Sequence, residues 1–144
     1  MAKTERRPRQ RRPFDSTQGR PERSRGTKTR LPKSIELAVR AAEDKKAEDI
    51  TVLDLRNAHG FTDYFVICSG TNSRQIRAIA DAVVDALGAD GQKAAHVEGY
   101  DRSEWVLVDY FDFIVHVFSP DTRAFYDLER LWGTAERVDI PAAR

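Results

Sequence analysis

Cysteine is almost missing from this chain of 144 residues: Cys68 is the only one, so no internal disulfide can form. Set inside the apolar run "DYFVICSG", it reads as a small buried hydrophobe in a reducing compartment. Long apolar runs are lacking too. No stretch approaches the roughly 18–20 residues that a membrane-spanning helix needs, and no apolar signal core follows Met1. A soluble, cytoplasmic protein with no membrane segment is expected.

Large apolar residues are scarce over the first thirty positions, where Phe14 stands alone after Met1 and three prolines and two glycines interrupt the chain. Such a stretch cannot bury enough surface to offset about 1–2 kcal/mol of backbone ordering entropy per residue, so residues 1–32 read as a disordered tail. The same tail holds eleven Lys/Arg against three acids, a net of +8, while residues 31–144 hold thirteen against twenty, a net of −7. Two readings stand for the tail. Clustered arginines release counterions from a phosphate backbone, which fits contact with RNA; a solvated, dispensable segment fits equally. Its acids at 5, 15 and 22 and its lack of an amphipathic face count against an organellar transit peptide.

Catalytic motifs are lacking in turn. Neither GxxxxGK[ST] nor GxGxxG occurs, and His59, His96 and His116 have no second ligand at metal spacing. Asp109 and Asp112 are three apart and split across a turn, whereas a metal-holding carboxylate pair on a strand needs a spacing of two. Asp81 and Asp85 fit the solvated face of a helix. The turn "SGTNSRQ" (69–75) is the one anion-binding candidate, against the plainer reading that Asn72 or Ser73 caps the following helix. No nucleophile, metal or cofactor site is expected, and the protein reads as a non-enzyme.

What is present is a regular alternation of elements. Ser34 is a candidate N-cap for a helix whose Ile35, Ala38, Val39 and Ala42 share a face. "ITVLDL" (50–55) alternates as a strand, the chain turns at Gly60, and 63–70 reads as a central strand buried on both faces. A helix follows with Ile76, Ile79, Ala80, Val83 and Leu87 in one stripe and Gly88 as its stop. "QKAAHVEG" is a weaker strand, and "EWVLVDY" and "DFIVHVFS" form an antiparallel pair around Phe111–Asp112. His116, alternating with Val115 and Val117, reads as a structural histidine. Pro120–Asp121 opens a last helix running to Gly133, with Ala124, Phe125, Leu128, Leu131 and Trp132 as its packing stripe. The order α-β-β-α-β-β-β-α predicts an α/β (α+β) fold with a mixed five-stranded sheet flanked by helices.

On the strand 105–110, Trp105, Leu107 and Asp109 project to one side, and Val106, Val108 and Tyr110 to the other. The valine side suits the core; the other suits a face shared between core and partner. On the last helix, Arg123, Asp127 and Arg130 can pair at i,i+4 and i,i+3 spacing, with Tyr126 and Glu129 on the flank.

"VEGYDRSEWVLVDYFDFIVHVFSPDTRAFYDLERLW" (97–132) closely resembles the signature of the ribosomal silencing factor, or Iojap-like, family. The matching pieces are Glu98–Gly99, Trp105–Asp109, Val115–Phe118, Arg123, Tyr126–Glu129 and Leu131–Trp132, with Thr62–Ile67, Ser69–Thr71, Ser73–Gln75 and Ile79–Ala80 upstream. The resemblance spans residues 33–134 in register, leaving 135–144 as a C-terminal tail. Phe111 departs from it, since many relatives carry glycine there.

The resemblance implies a fold similar to the nucleotidyltransferase superfamily without its metal carboxylates. It also implies a translational repressor that binds the large ribosomal subunit at its subunit interface, contacts large-subunit ribosomal protein fourteen and blocks joining of the small subunit, typically under nutrient limitation. Relatives in mitochondria and chloroplasts act in large-subunit assembly, and dimers occur in the family, so a homodimer through an exposed apolar sheet face is open to this chain. The match points to Trp105, Asp109, Tyr126 and Glu129 as partner-binding candidates, to which the strand and helix geometry adds Leu107, Arg123 and Arg130.

Overall fold

The computed structural model describes residues 31–58 and 61–140, and the compact unit within which they fall begins at Leu31. The readings of residues 1–30, of His59 and of the turn at Gly60 lie outside the described residues. Leu31 is itself buried in the core, so the folded unit starts before the expected boundary at 33.

Helix α1 spans Lys33–Asp44 and buries Ile35, Ala38, Val39, Ala41 and Ala42. Its cap position is Pro32, whose carbonyl accepts the first helical bond from the Glu36 amide at 3.0 Å. Ser34 is therefore inside the first turn, not at the cap, and its hydroxyl accepts from Gln92 Nε2 at 2.6 Å. Strand β1 (Glu48–Asp54) pairs antiparallel with β2 (Tyr64–Ser69), every residue of which is buried.

Helix α2 (Ser73–Ala89) buries the expected stripe of Ile76, Ile79, Ala80, Val83 and Leu87. It runs past Gly88. The residue that ends it is Gly91, in the left-handed region at φ +86, with the Gln92 amide bonded to the Leu87 carbonyl and the Gly91 amide to the Gly88 carbonyl. A short edge strand β3 (His96–Glu98) then pairs with β4 (Trp105–Asp109), which pairs antiparallel with β5 (Phe113–Phe118). Gly99, at φ +80 between β3 and β4, permits a close approach: a Cβ there would lie 2.1 Å from the Trp105 carbonyl oxygen.

The last helical segment is not continuous. Helix α3 covers Pro120–Tyr126, Asp127 turns left-handed at φ 50, and a single further turn, α4, covers Leu128–Leu131. The break rotates the apolar positions out of phase, so the expected packing stripe does not form. Ala124 is exposed, Phe125 and Leu131 are 80% and 72% exposed, and only Leu128 and part of Trp132 reach the sheet.

Residues 136–138, expected in a C-terminal tail, form a sixth strand, β6 (Glu136–Val138), antiparallel to β1. Among the described residues the sheet has six strands, not five, in the order β3-β4-β5-β2-β1-β6, with β2 and β5 its one parallel pair there, across the α2 crossover. Both long helices cover one face, packing on Val52, Val66, Cys68, Val106, Val108, Val115 and Val117. The other face carries Leu53, Phe65, Ile67, Ile114 and Phe118. Helix α4 contributes Leu128 to this second cluster, and long stretches of covering helix are missing there. No helix among the described residues is long and apolar enough to cross a membrane.

Candidate docking face

Strand β4 shows the expected alternation: Val106 and Val108 are fully buried, and Trp105, Leu107 and Asp109 are part-exposed on the thinly covered face. The Trp105 ring lies 5.0 Å from that of Phe118 and 4.7 Å from that of Tyr126, which reaches over from the end of α3. Its Nε1–H donates to Nδ1 of His116 at 3.0 Å. Phe125 stands edge-on to Tyr126 at 5.0 Å and is itself open to solvent. Next along the strand, Leu107 sits between His116 on β5 and Glu98 on β3. Asp109 accepts the Phe111 amide at 2.8 Å and pairs in register with His96, whose Nε2 is 2.8 Å from Glu98. The open face is thus an aromatic and leucine centre with an acidic strip along the β3–β4 edge. His96, Glu98 and Phe125 were not anticipated; the alternation in "HVE" is the signal that placed the first two with Leu107 and Asp109.

Phe61 extends the aromatic surface at the other side, 6.2 Å from Phe65 and 6.5 Å from Trp132, and is 75% exposed. Loop 61–63 is tied to the β4–β5 turn, because Thr62 Oγ1 donates to the Phe111 carbonyl at 2.7 Å.

Arg123 and Glu129 are brought together differently from the expected Arg123–Asp127 pair. With Asp127 taken up in the left-handed junction, Glu129 faces Arg123, and Nη2–Oε2 is 2.6 Å with both side chains largely buried. The guanidinium also donates to Ser69 Oγ at 2.9 Å and Thr51 Oγ1 at 3.3 Å. This network ties α3 and α4 to β1 and β2, so both residues are spent on holding the helical segment to the sheet. Arg130 is exposed on α4.

The turn at 69–75 caps the helix that follows it, as the plainer reading expected. Asn72 Oδ1 accepts the Gln75 amide at 2.8 Å, and Gln75 Oε1 accepts the Thr71 amide at 2.7 Å, a reciprocal cap. Gln75 Nε2 then donates to the carbonyls of Lys45 and Lys46. Asp81 accepts from the Tyr100 hydroxyl on the surface of α2. Among the described residues no group of three or more His, Cys, Asp or Glu is placed to hold a metal ion. Cys68 is fully buried, and desolvation pushes its thiol up to about 12, which keeps it un-ionised and unreactive. Two open clefts lie among the described residues. One of about 240 Å³ lies beside the start of α1, lined by Asp63, Tyr64, Gln92 and Asp112 among others; one of about 450 Å³ is edged by Asp49, Arg123, Glu129 and Arg137.

Comparison with known proteins decides the family of this chain. The family described as "Ribosomal silencing factor during starvation" matches residues 28–144. The chain belongs to the ribosomal silencing factor family.

A family member from Bacillus subtilis is 42% identical over 106 residues, covering 74% of this chain and 90% of the relative. A mouse relative named "Mitochondrial assembly of ribosomal large subunit protein 1" is 34% identical over 101 residues, but the match covers only 44% of it. Among solved structures, a crystal structure of a Chromobacterium violaceum protein superposes with a TM-score of 0.69 at 34% identity, covering 77% of this chain and 92% of that one.

Proposed function

We propose that this protein binds the large ribosomal subunit at its subunit interface, through large-subunit ribosomal protein fourteen, and blocks joining of the small subunit by occupying the space. The observation that carries the reading is the half-open surface of Trp105, Leu107 and Tyr126, the last on a helical segment that the Arg123 network ties to β1 and β2. Large amphipathic rings on strands, ringed by polar residues, are the usual anchors of a protein interface. An interface of ordinary size needs only roughly 800 Å² on each partner, within the reach of one sheet face.

Charge supports the same partner. Residues 31–144 carry a net charge of −7, and Glu98 and Asp109 border the face, so a basic ribosomal surface would be drawn to it quickly and in a salt-sensitive manner. Occlusion requires no bond making, and the activity proposed is binding, exercised in the cytoplasm. The fold implied by the resemblance, a nucleotidyltransferase-like sheet put to binding use, fits that reading.

Sedimentation of purified large subunits with the protein tests this. Co-migration is expected, and Trp105→Ala or Tyr126→Ala, each still folded, is expected to cost about 2 kcal/mol, or roughly 30-fold in affinity. Unchanged binding by both variants would remove this face from the interface. The name of the mouse relative favours a second reading, in which the bound protein serves large-subunit assembly. That reading expects binding to precursor particles and no effect on joining of mature subunits.

A further inference from the structure

The geometry points to His116 as the residue that positions Trp105 for docking, an inference that rests on the docking reading above. The two side chains are diagonal neighbours across the β4–β5 pair, since Trp105 is in register with Phe118 and Leu107 with His116. The indole N–H is the one polar group of Trp105, and at an interface anchor it would ordinarily be offered to the partner. Here it is spent inward, on His116 Nδ1 at 3.0 Å.

An imidazole that accepts at Nδ1 carries its proton at Nε2. That nitrogen is sealed from solvent and has no hydrogen-bond partner among the described residues. A buried donor left without an acceptor costs stability, and the neighbours of the ring do not require an imidazole. Phe65 stands edge-on to it at 4.6 Å, Phe118 lies parallel at 5.9 Å, and Ile67 flanks it on β2. An apolar side chain would fill the same space with no orphaned donor. What only the imidazole supplies is the acceptor that fixes the indole.

With that bond, the part-exposed Trp105 is restrained by the rings of Phe118 and Tyr126 and by one hydrogen bond. A fixed anchor avoids the ordering cost of docking, so the expected loss on removing the acceptor falls on binding more than on folding.

The wild-type protein gives the first test. Its long-range ¹H–¹⁵N imidazole spectrum at neutral pH should show His116 protonated at Nε2 only, and protonation at Nδ1 would overturn the inference. Two variants follow: His116→Leu removes the acceptor, and His116→Asn returns an oxygen near the Nδ1 position. The chain has two tryptophans, so the indole signals are readily assigned. In His116→Leu the Trp105 indole proton should exchange with water about tenfold faster, and affinity for purified large subunits should fall about tenfold, with both restored in large part by His116→Asn.

If His116→Leu binds like the wild type while Trp105→Ala does not, Trp105 anchors without this hold and the inference is wrong. If Trp105→Ala also binds normally, the docking reading itself fails and takes this role of His116 with it. Should His116→Leu not fold, the wild-type tautomer and the His116→Asn affinity decide.

Discussion

Acid should weaken this fold through a single buried histidine. Burial pushes the His116 imidazole from its ordinary 6.5 down to about 3, because a charged ring would sit among Phe65, Ile67 and Phe118 with no water. A proton on Nδ1 would also set two donors face to face across the bond from Trp105. The unfolded chain therefore binds a proton that the folded chain refuses between these two values. Stability from this group is complete above pH 6.5 and drains away as pH falls towards 3. At about 1.36 kcal/mol per unit, lowering pH from 6.5 to 4.5 removes about 2–3 kcal/mol, and the whole interval about 4–5 kcal/mol. His116→Asn has nothing to titrate there, so the wild type should lose about 2–3 kcal/mol more than this variant over the first two units. Urea unfolding followed by tryptophan fluorescence at both pH values measures that difference, and other titrating groups cancel in the comparison. Equal pH dependence in the two proteins would refute the reasoning.

Two further substitutions probe the frame of the face. Phe111 holds φ +71 at the tip of the β4–β5 turn with its ring 74% exposed, so Phe111→Gly should relieve about 1 kcal/mol of left-handed strain and raise the thermal midpoint by a few degrees. An unchanged or lower midpoint would mean that the ring contributes packing after all. Arg123→Ala leaves the largely buried Glu129 without its partner and should cost about 2 kcal/mol in chemical denaturation, whereas the double variant with Glu129→Gln should recover part of it. Strict additivity of the two would show that the pair does not act as a unit.

The parts of this fold that are legible in the sequence are those where burial leaves a pattern. Strands β2 and β5 are buried on both faces and read as apolar runs, and β4 is buried on one and alternates. The stripe of α2 is equally plain. Strand β6 is three residues, Glu136–Arg137–Val138, mostly exposed, and its existence depends on a free edge of β1 that no local signal reports. The ends of helices go astray where two candidate residues compete: Pro32 takes the cap from Ser34, and Gly91 takes the stop from Gly88.

The break at Asp127 matters most. Aspartate tolerates the left-handed region better than most residues, yet "FYDLERL" reads as unbroken helix, and one rotated residue moves Phe125 and Leu131 from core to solvent. The same break creates the Arg123–Glu129 pair, six residues apart, which no helical spacing anticipates. That Trp105, Leu107 and Asp109 share one face follows from period-two alternation alone. The hold of His116 on Trp105 needs the register of β4 on β5, which becomes visible only in three dimensions.

On the proposed function, this protein, once bound, occupies space that the small subunit needs. Light scattering on mixing ribosomal subunits measures joining directly. Large subunits incubated first with the protein should give a joining amplitude that falls in proportion to occupancy, and Trp105→Ala at the same concentration should leave the amplitude near that of free subunits. Full joining on large subunits shown to carry the protein would contradict the account.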